Sequence, residues 1–294
     1  MTRLLSHLVV CAMAISSLAA PAHADKLKVV ASFSILGDMV QQVTGDLVSV
    51  ATIVGPDADA HVYTPNIKDA RAVAEADVIF VNGIGFETWS KTLIETSGTK
   101  AKVYVATEGV TPVKVDGEAD PHAWNALPNG MIYISNIAKA MAAADPKNAE
   151  TYKKNAAAYT TKLEDLHKRA MTELSKTPEK RRTVVTAHDA FGYLASAYKL
   201  RFLAPVGIDT EAEPSAQQLA NLIDQLKQEE VAGLFVENIT SPALVEQIAR
   251  ETGLKIGGKL FSDALSVKGG PATSYLTMFE HNLSVIIAAI KGES

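Results

Sequence analysis

The sequence predicts an α/β protein in two lobes, with parallel sheets covered by helices. Three observations carry this. Short β-branched runs alternate with segments of helical period, and the alternation occurs once in each half of the chain. Between the halves lies one long, uninterrupted helical stretch.

The elements follow in order. Residues 1–24 hold Arg3, the apolar run Leu8-Val9-Val10-Cys11-Ala12-Met13-Ala14-Ile15 and the small-residue ending Ala22-His23-Ala24. That pattern reads as a secretory signal cut before Asp25, and its apolar run falls short of the roughly 20 residues a membrane span needs. The first lobe, 25–145, should carry strands at 26–31, 48–54, 77–82 and 102–106. Ile35, Leu36, Met39, Val40 and Val43 fall at helical spacing, and helices are also expected at 67–76, 86–96 and 129–144. Residues 146–177 contain no glycine and no proline after Pro146. Asp145 suits an N-cap, Pro146 the first turn and Pro178 the stop. Tyr152, Ala156, Tyr159, Leu163, Leu166, Ala170 and Leu174 make one apolar stripe along this helix, which at ~1.5 Å per residue would be about 45 Å long, enough to join two lobes. The second lobe, 178–294, repeats the style with strands at 183–187, 201–206, 233–236 and 255–257. Its helices are expected at 190–199, 214–229, 241–251 and 273–291.

Composition narrows the function. The formal net charge is −5, and losing Arg3 with the leader makes it one unit more negative. That balance speaks against nucleic acid as a partner, which would call for a basic patch. Cys11 is the only cysteine and lies in the leader, so a metal site in the mature chain must be built from His, Asp and Glu.

Seven histidines are encoded, two of them in the leader. His281 points away from the apolar face of the last helix and should be solvated. His167 lies at the margin of the long helix's stripe. His61, His188 and Asp263 each come shortly after a strand, where ligands of open parallel sheets bind, and His122 begins the segment leading to helix 129–144. Three imidazoles and a carboxylate suit Zn²⁺ in a closed tetrahedral site. Position alone leaves open that these are unrelated histidines. Asp120 and Asp189 are candidates to orient imidazoles. Glu237 reads as a helix-capping or buried structural acid, with an outer carboxylate as the alternative. Gly83-Ile84-Gly85 lacks the third glycine of a dinucleotide loop and reads as a tight turn.

Several motifs stand in a telling order: Val29-Val30-Ala31-Ser32-Phe33-Ser34-Ile35-Leu36-Gly37-Asp38-Met39, Asp59-Ala60-His61-Val62-Tyr63-Thr64-Pro65, Asp120-Pro121-His122-Ala123-Trp124, Ala187-His188-Asp189-Ala190-Phe191-Gly192-Tyr193 and Phe261-Ser262-Asp263-Ala264-Leu265. With these, nearly the whole mature chain resembles the zinc, manganese and iron(II) family of ABC-importer solute-binding proteins. The resemblance implies two lobes, each with a four-stranded parallel sheet and surrounding helices, joined by one long backbone helix. It implies His61, His122, His188 and Asp263 as ligands of one ion in the cleft, limited movement on binding, and delivery to a membrane permease. The protein is then a monomeric periplasmic receptor and not an enzyme. His188 stands where many manganese receptors carry Glu, which favours Zn²⁺ as the transported ligand. Segment 111–119 is short and without histidine, unlike the His-rich loop of many zinc receptors, which leaves Mn²⁺ open. The family's lipid anchor is missing, which fits a free periplasmic protein.

The rival readings are a zinc hydrolase and an adhesin. Four protein ligands leave no open position for a hydrolytic water, and no H-E-x-x-H or G-x-S-x-G occurs. Nothing in the sequence excludes additional surface binding.

Overall fold

In the computed structural model, which describes residues 26–293, alternating runs of the first half become strands β1 (Lys28–Phe33), β2 (Ser49–Val54), β3 (Val78–Val81) and β4 (Lys102–Val105). Helices α1 (Ser34–Thr44), α2 (Ile67–Ala74) and α3 (Ser90–Ser97) connect them. A two-stranded hairpin, β5 (Lys114–Val115) and β6 (Glu118–Ala119), precedes α4 (Leu127–Ala144) and α5 (Ala149–Ser175). The second half runs β7 (Thr183–Val185), α6 (Gly192–Tyr198), β8 (Arg201–Leu203), α7 (Ala216–Leu226), β9 (Gly233–Glu237), α8 (Ala243–Thr252), β10 (Ile256–Leu260) and α9 (Tyr275–Lys291). The leader read at residues 1–24 lies outside the described residues.

Each half contributes a four-stranded, all-parallel sheet, ordered β2-β1-β3-β4 and β10-β9-β7-β8. In both, the second strand in sequence lies on one side of the first and the third on the other. Such a reversal opens a crevice beyond the strand ends, and parallel α/β sheets bind ligands there. The expected class, an α/β fold of two lobes joined by a long helix, is what the chain adopts.

α5 buries Tyr152, Ala156, Tyr159, Leu163, Leu166, Ala170 and Leu174, the stripe read from the sequence. Its 27 residues span about 40 Å. It packs against α1 and α4 from the first half and against α6 and α9 from the second. α9 closes the chain back on α1, where the Asp38 carboxylate accepts a hydrogen bond from Tyr275 N at 2.8 Å. Among the described residues no helix is long and apolar enough to cross a membrane.

Several expectations shift. The long helix starts later than its capping signals suggest, because Pro146–Asn148 form a separate 3₁₀ turn. The Asp145 side chain caps no backbone N–H; its carboxylate accepts from Asn148 Nδ2 and Tyr152 Oη, tying the turn to the first buried tyrosine of the stripe. The third helix begins at Ser90 rather than 86, since the chain first makes a tight turn. There Gly83 takes φ +88°, and an added Cβ would meet Val105 Cγ1 at 2.5 Å. The hairpin β5–β6 was not anticipated. Two-residue strands show no periodicity, although its Asp116-Gly117 corner, with φ of 51° and 93°, was a visible turn signal. His281 is half-buried rather than solvated, and its Nε2–H donates to Lys259 O at 2.9 Å.

Candidate metal centre

Four loops carry His61, His122, His188 and Asp263 to one point. His61 ends the loop after β2. Asp59 Oδ1 accepts from its backbone N at 2.9 Å, and Trp89 Nε1 donates to Ala60 O at 2.8 Å. His122 follows β6, where Asn82 Nδ2 holds Pro121 O at 2.9 Å and Tyr193 Oη holds Asp120 O at 2.7 Å. His188 stands just past β7, its loop bridged to Val206. Asp263 follows β10. Trp124 Nε1 donates to Ser262 O at 2.8 Å, and Leu265 N donates to Ser34 Oγ at 3.0 Å. Each loop is thus fixed by residues distant in sequence, several of them across the two halves.

One ligand atom from each residue lies within 4.8 Å of all the others. Around Asp263 Oδ2 stand His61 Nε2 at 3.1 Å, His188 Nε2 at 3.2 Å and His122 Nε2 at 3.7 Å, while His61 Nε2 and His122 Nε2 are 3.2 Å apart. A tetrahedral zinc ion with bonds of 2.0–2.2 Å separates its ligands by about 3.3 Å. The four spacings of 3.1–3.7 Å are close to those of such a cage, and all six lie within 4.8 Å. Phe86 sets its ring edge-on to His61 at 4.9 Å and stands 4.6 Å from Trp124, walling the cluster with apolar surface.

Two buried carboxylates set the direction of the imidazoles. Asp120 Oδ1 accepts from His122 N and lies 2.8 Å from His122 Nδ1. Glu237, the last residue of β9, accepts from Ala187 N and His188 N through Oε1, and its Oε2 lies 2.6 Å from His188 Nδ1. At His122 a proton held at Nδ1 leaves the Nε2 lone pair pointing inward, as metal-binding histidines do; at His188 the Glu237 carboxylate is a close charge partner of Nδ1. Asp120 thus does what the sequence suggested. Asp189 does not: it is half-buried, its N donates to Gly207 O, and Glu237 takes the role instead.

Electrostatics follow the same pairs. Burial disfavours a charged His122, yet the carboxylates of Asp263 and Asp120 outweigh it and raise the imidazole to about 9. Burial opposes charge on His188 too, and Glu237 and Asp263 lift it well above the usual range. Burial likewise opposes ionisation of Asp263, but His122 and His188 hold its carboxyl well below the carboxylate range. Exchanging two imidazole protons for one divalent ion leaves the charge of the centre unchanged, so the donor set fits a dication.

A fold of this kind with such a cluster defines a cation-receptor class, and the sequence comparisons agree. The family described as zinc-uptake complex component A, periplasmic, matches residues 29–289, and the chain belongs to it. Its relatives are substrate-binding proteins of ABC metal importers, not enzymes. The iron ABC transporter substrate-binding lipoprotein MtsA of Streptococcus pyogenes is 38% identical over 276 residues, covering 90% of this chain and 89% of that protein. The manganese ABC transporter substrate-binding lipoprotein PsaA of Streptococcus anginosus is 36% identical over 273 residues, covering 89% and 88%. Among solved structures, the Mn-bound periplasmic metal binding protein of Candidatus Liberibacter asiaticus superposes with a TM-score of 0.82 at 33% identity, covering 90% of this chain and all of that one. The periplasmic zinc binding protein TroA of Treponema pallidum reaches 0.86 at 26% identity, covering 91% and 99%.

Proposed function

We propose that this chain is the periplasmic receptor of an ABC metal importer and carries one Zn²⁺ on His61, His122, His188 and Asp263 to its permease. The observation that carries the reading is the meeting of three imidazole nitrogens and one carboxylate oxygen within 4.8 Å, in a pocket three of whose four residues are fully buried. Nitrogen-rich tetrahedral sets suit zinc. The reading takes 25–145 and 178–294 as lobes, 146–177 as the link, and a single chain as the working unit.

One observation favours a manganese or iron(II) cargo as the second reading. Asp263 Oδ1 is buried with no hydrogen-bond partner among the described residues, so the carboxylate has a second oxygen free to enlarge the coordination shell. Relatives named for iron and for manganese point the same way. Competition titration of Zn²⁺ and Mn²⁺ against a calibrated chelator decides between them. Zinc should bind as one equivalent and far more tightly. His188→Glu should shift the zinc-to-manganese affinity ratio toward manganese by at least about tenfold, since carboxylate suits Mn²⁺ and imidazole Zn²⁺. An unchanged ratio removes His188 as the selector.

Export completes the proposal: residues 1–24 act as a signal and processing leaves Asp25 first. Intact mass of the exported protein should match a chain from Asp25, and a lipid-modified Cys11 would overturn this.

A further inference from the structure

Taking the four residues as the ion site, the structure bears on how an ion reaches it. His122, His188 and Asp263 are each 0% exposed, whereas His61 is 6% exposed. Beside His61 lies a cavity of about 210 Å³. Its walls come from both halves of the chain, with Phe86 and Pro121 on one side and Ile208 on the other. Three exposed carboxylates line it, those of Glu118 on β6 and of Asp209 and Glu211 in the loop after β8, and no lysine or arginine does. Thr210 Oγ1 donates to Asp59 Oδ2 at 2.6 Å, and Asp59 also holds His61 N. The acidic wall is thereby tied to the loop that carries the histidine.

His61 differs from its partners in a second way. The Nδ1 atoms of His122 and His188 face buried carboxylates at 2.8 and 2.6 Å. His61 Nδ1 has no hydrogen-bond partner among the described residues, while its Nε2 joins the cluster. The one imidazole that borders the cavity is therefore the one whose outer nitrogen, Nδ1, no carboxylate faces.

We propose that the cavity over His61 is the route by which the ion enters and leaves, with His61 as the exchangeable ligand and Glu118, Asp209 and Glu211 as a rim that concentrates divalent cations. A cleft lined by one sign of charge raises the local concentration of the opposite ion and its association rate, by about tenfold or more, and salt screens the effect. The rim sets rates more than the structure of the bound state, because its side chains are solvated and stand outside the four donors.

Stopped-flow tryptophan fluorescence with Zn²⁺ or Mn²⁺ alone tests this, since the Trp124 ring lies 5.3 Å from that of His122. In the triple variant Glu118→Gln, Asp209→Asn, Glu211→Gln, the association rate should fall about tenfold at low ionic strength and converge on the unaltered protein at high salt. Its dissociation rate and melting temperature should hold. Ala119→Phe, placed on the wall to narrow the cavity, should slow association and dissociation by a similar factor and leave Kd within about twofold. An association rate unchanged in the triple variant overturns the rim, and rates unchanged in Ala119→Phe overturn the route. A chain that takes up neither ion at equilibrium overturns the underlying site instead, a result the titration reads separately from the rates.

Discussion

His122 stands between two carboxylates, and this sets how the centre answers pH. An imidazole must be neutral to bind a metal. Free imidazole would lose its proton near 6.5, but here the value is about 9, with His188 raised as well. Metal affinity should therefore climb with pH through the neutral range and level off only near pH 9, higher than an isolated histidine would suggest. Calorimetry at pH 7 in buffers of different ionisation heat should find close to two protons released per ion; none released would contradict the pairing. The metal-free protein has the opposite slope. Because the folded value lies above the unfolded one, the stabilisation from His122 is complete below about 6.5 and is lost as pH rises through about 9. Asp120 could be read beside His122 because the two are neighbours in the chain. Glu237 could not be assigned to His188, since the contact joins residues 49 apart.

Elements hold these residues in place through close approaches that a sequence pattern does not display. α6 starts at Gly192, where an added Cβ would meet Asp120 Oδ2 at 2.6 Å. Gly192→Ala should push the Asp120 carboxylate from its place beside His122, and loss of such an outer carboxylate weakens metal affinity by about 10–100-fold. Chelator titration reads the affinity, and circular dichroism should show the fold retained; unchanged affinity would mean that Asp120 can shift without loosening His122. The stripe on α5 was legible because seven apolar residues at steps of three and four can face only one way. The start of α5 was less so: Asp145 and Pro146 carry strong capping signals, yet Asp145 is spent on Tyr152 and Asn148 instead. A buried tyrosine hydroxyl needs a partner, and that need is visible only once the helix has docked.

At the scale of the whole molecule, the centre joins loops from residue 61 to residue 263 and so links the two halves. An ion held there binds the folded chain and not the unfolded one. At a free concentration about a hundred times Kd it should add about 2.7 kcal/mol of stability. For a chain of this size that raises the melting temperature by on the order of 5–10 °C, which calorimetry with and without zinc would measure; a midpoint indifferent to metal would argue against the site. The sequence by itself determined the class of fold, the alternation of the eight strands of the two main sheets with helices, the long helix and the four candidate donors. Hydrophobic period and chain position are local properties, and the motifs around each donor are contiguous. Only the tertiary structure decided that the four donors meet, that Glu237 rather than Asp189 faces His188, and that of the four donors His61 is the one lining the cavity between the halves. Those facts depend on sheet order and on loops packed across the two halves, where residues far apart in the chain become neighbours.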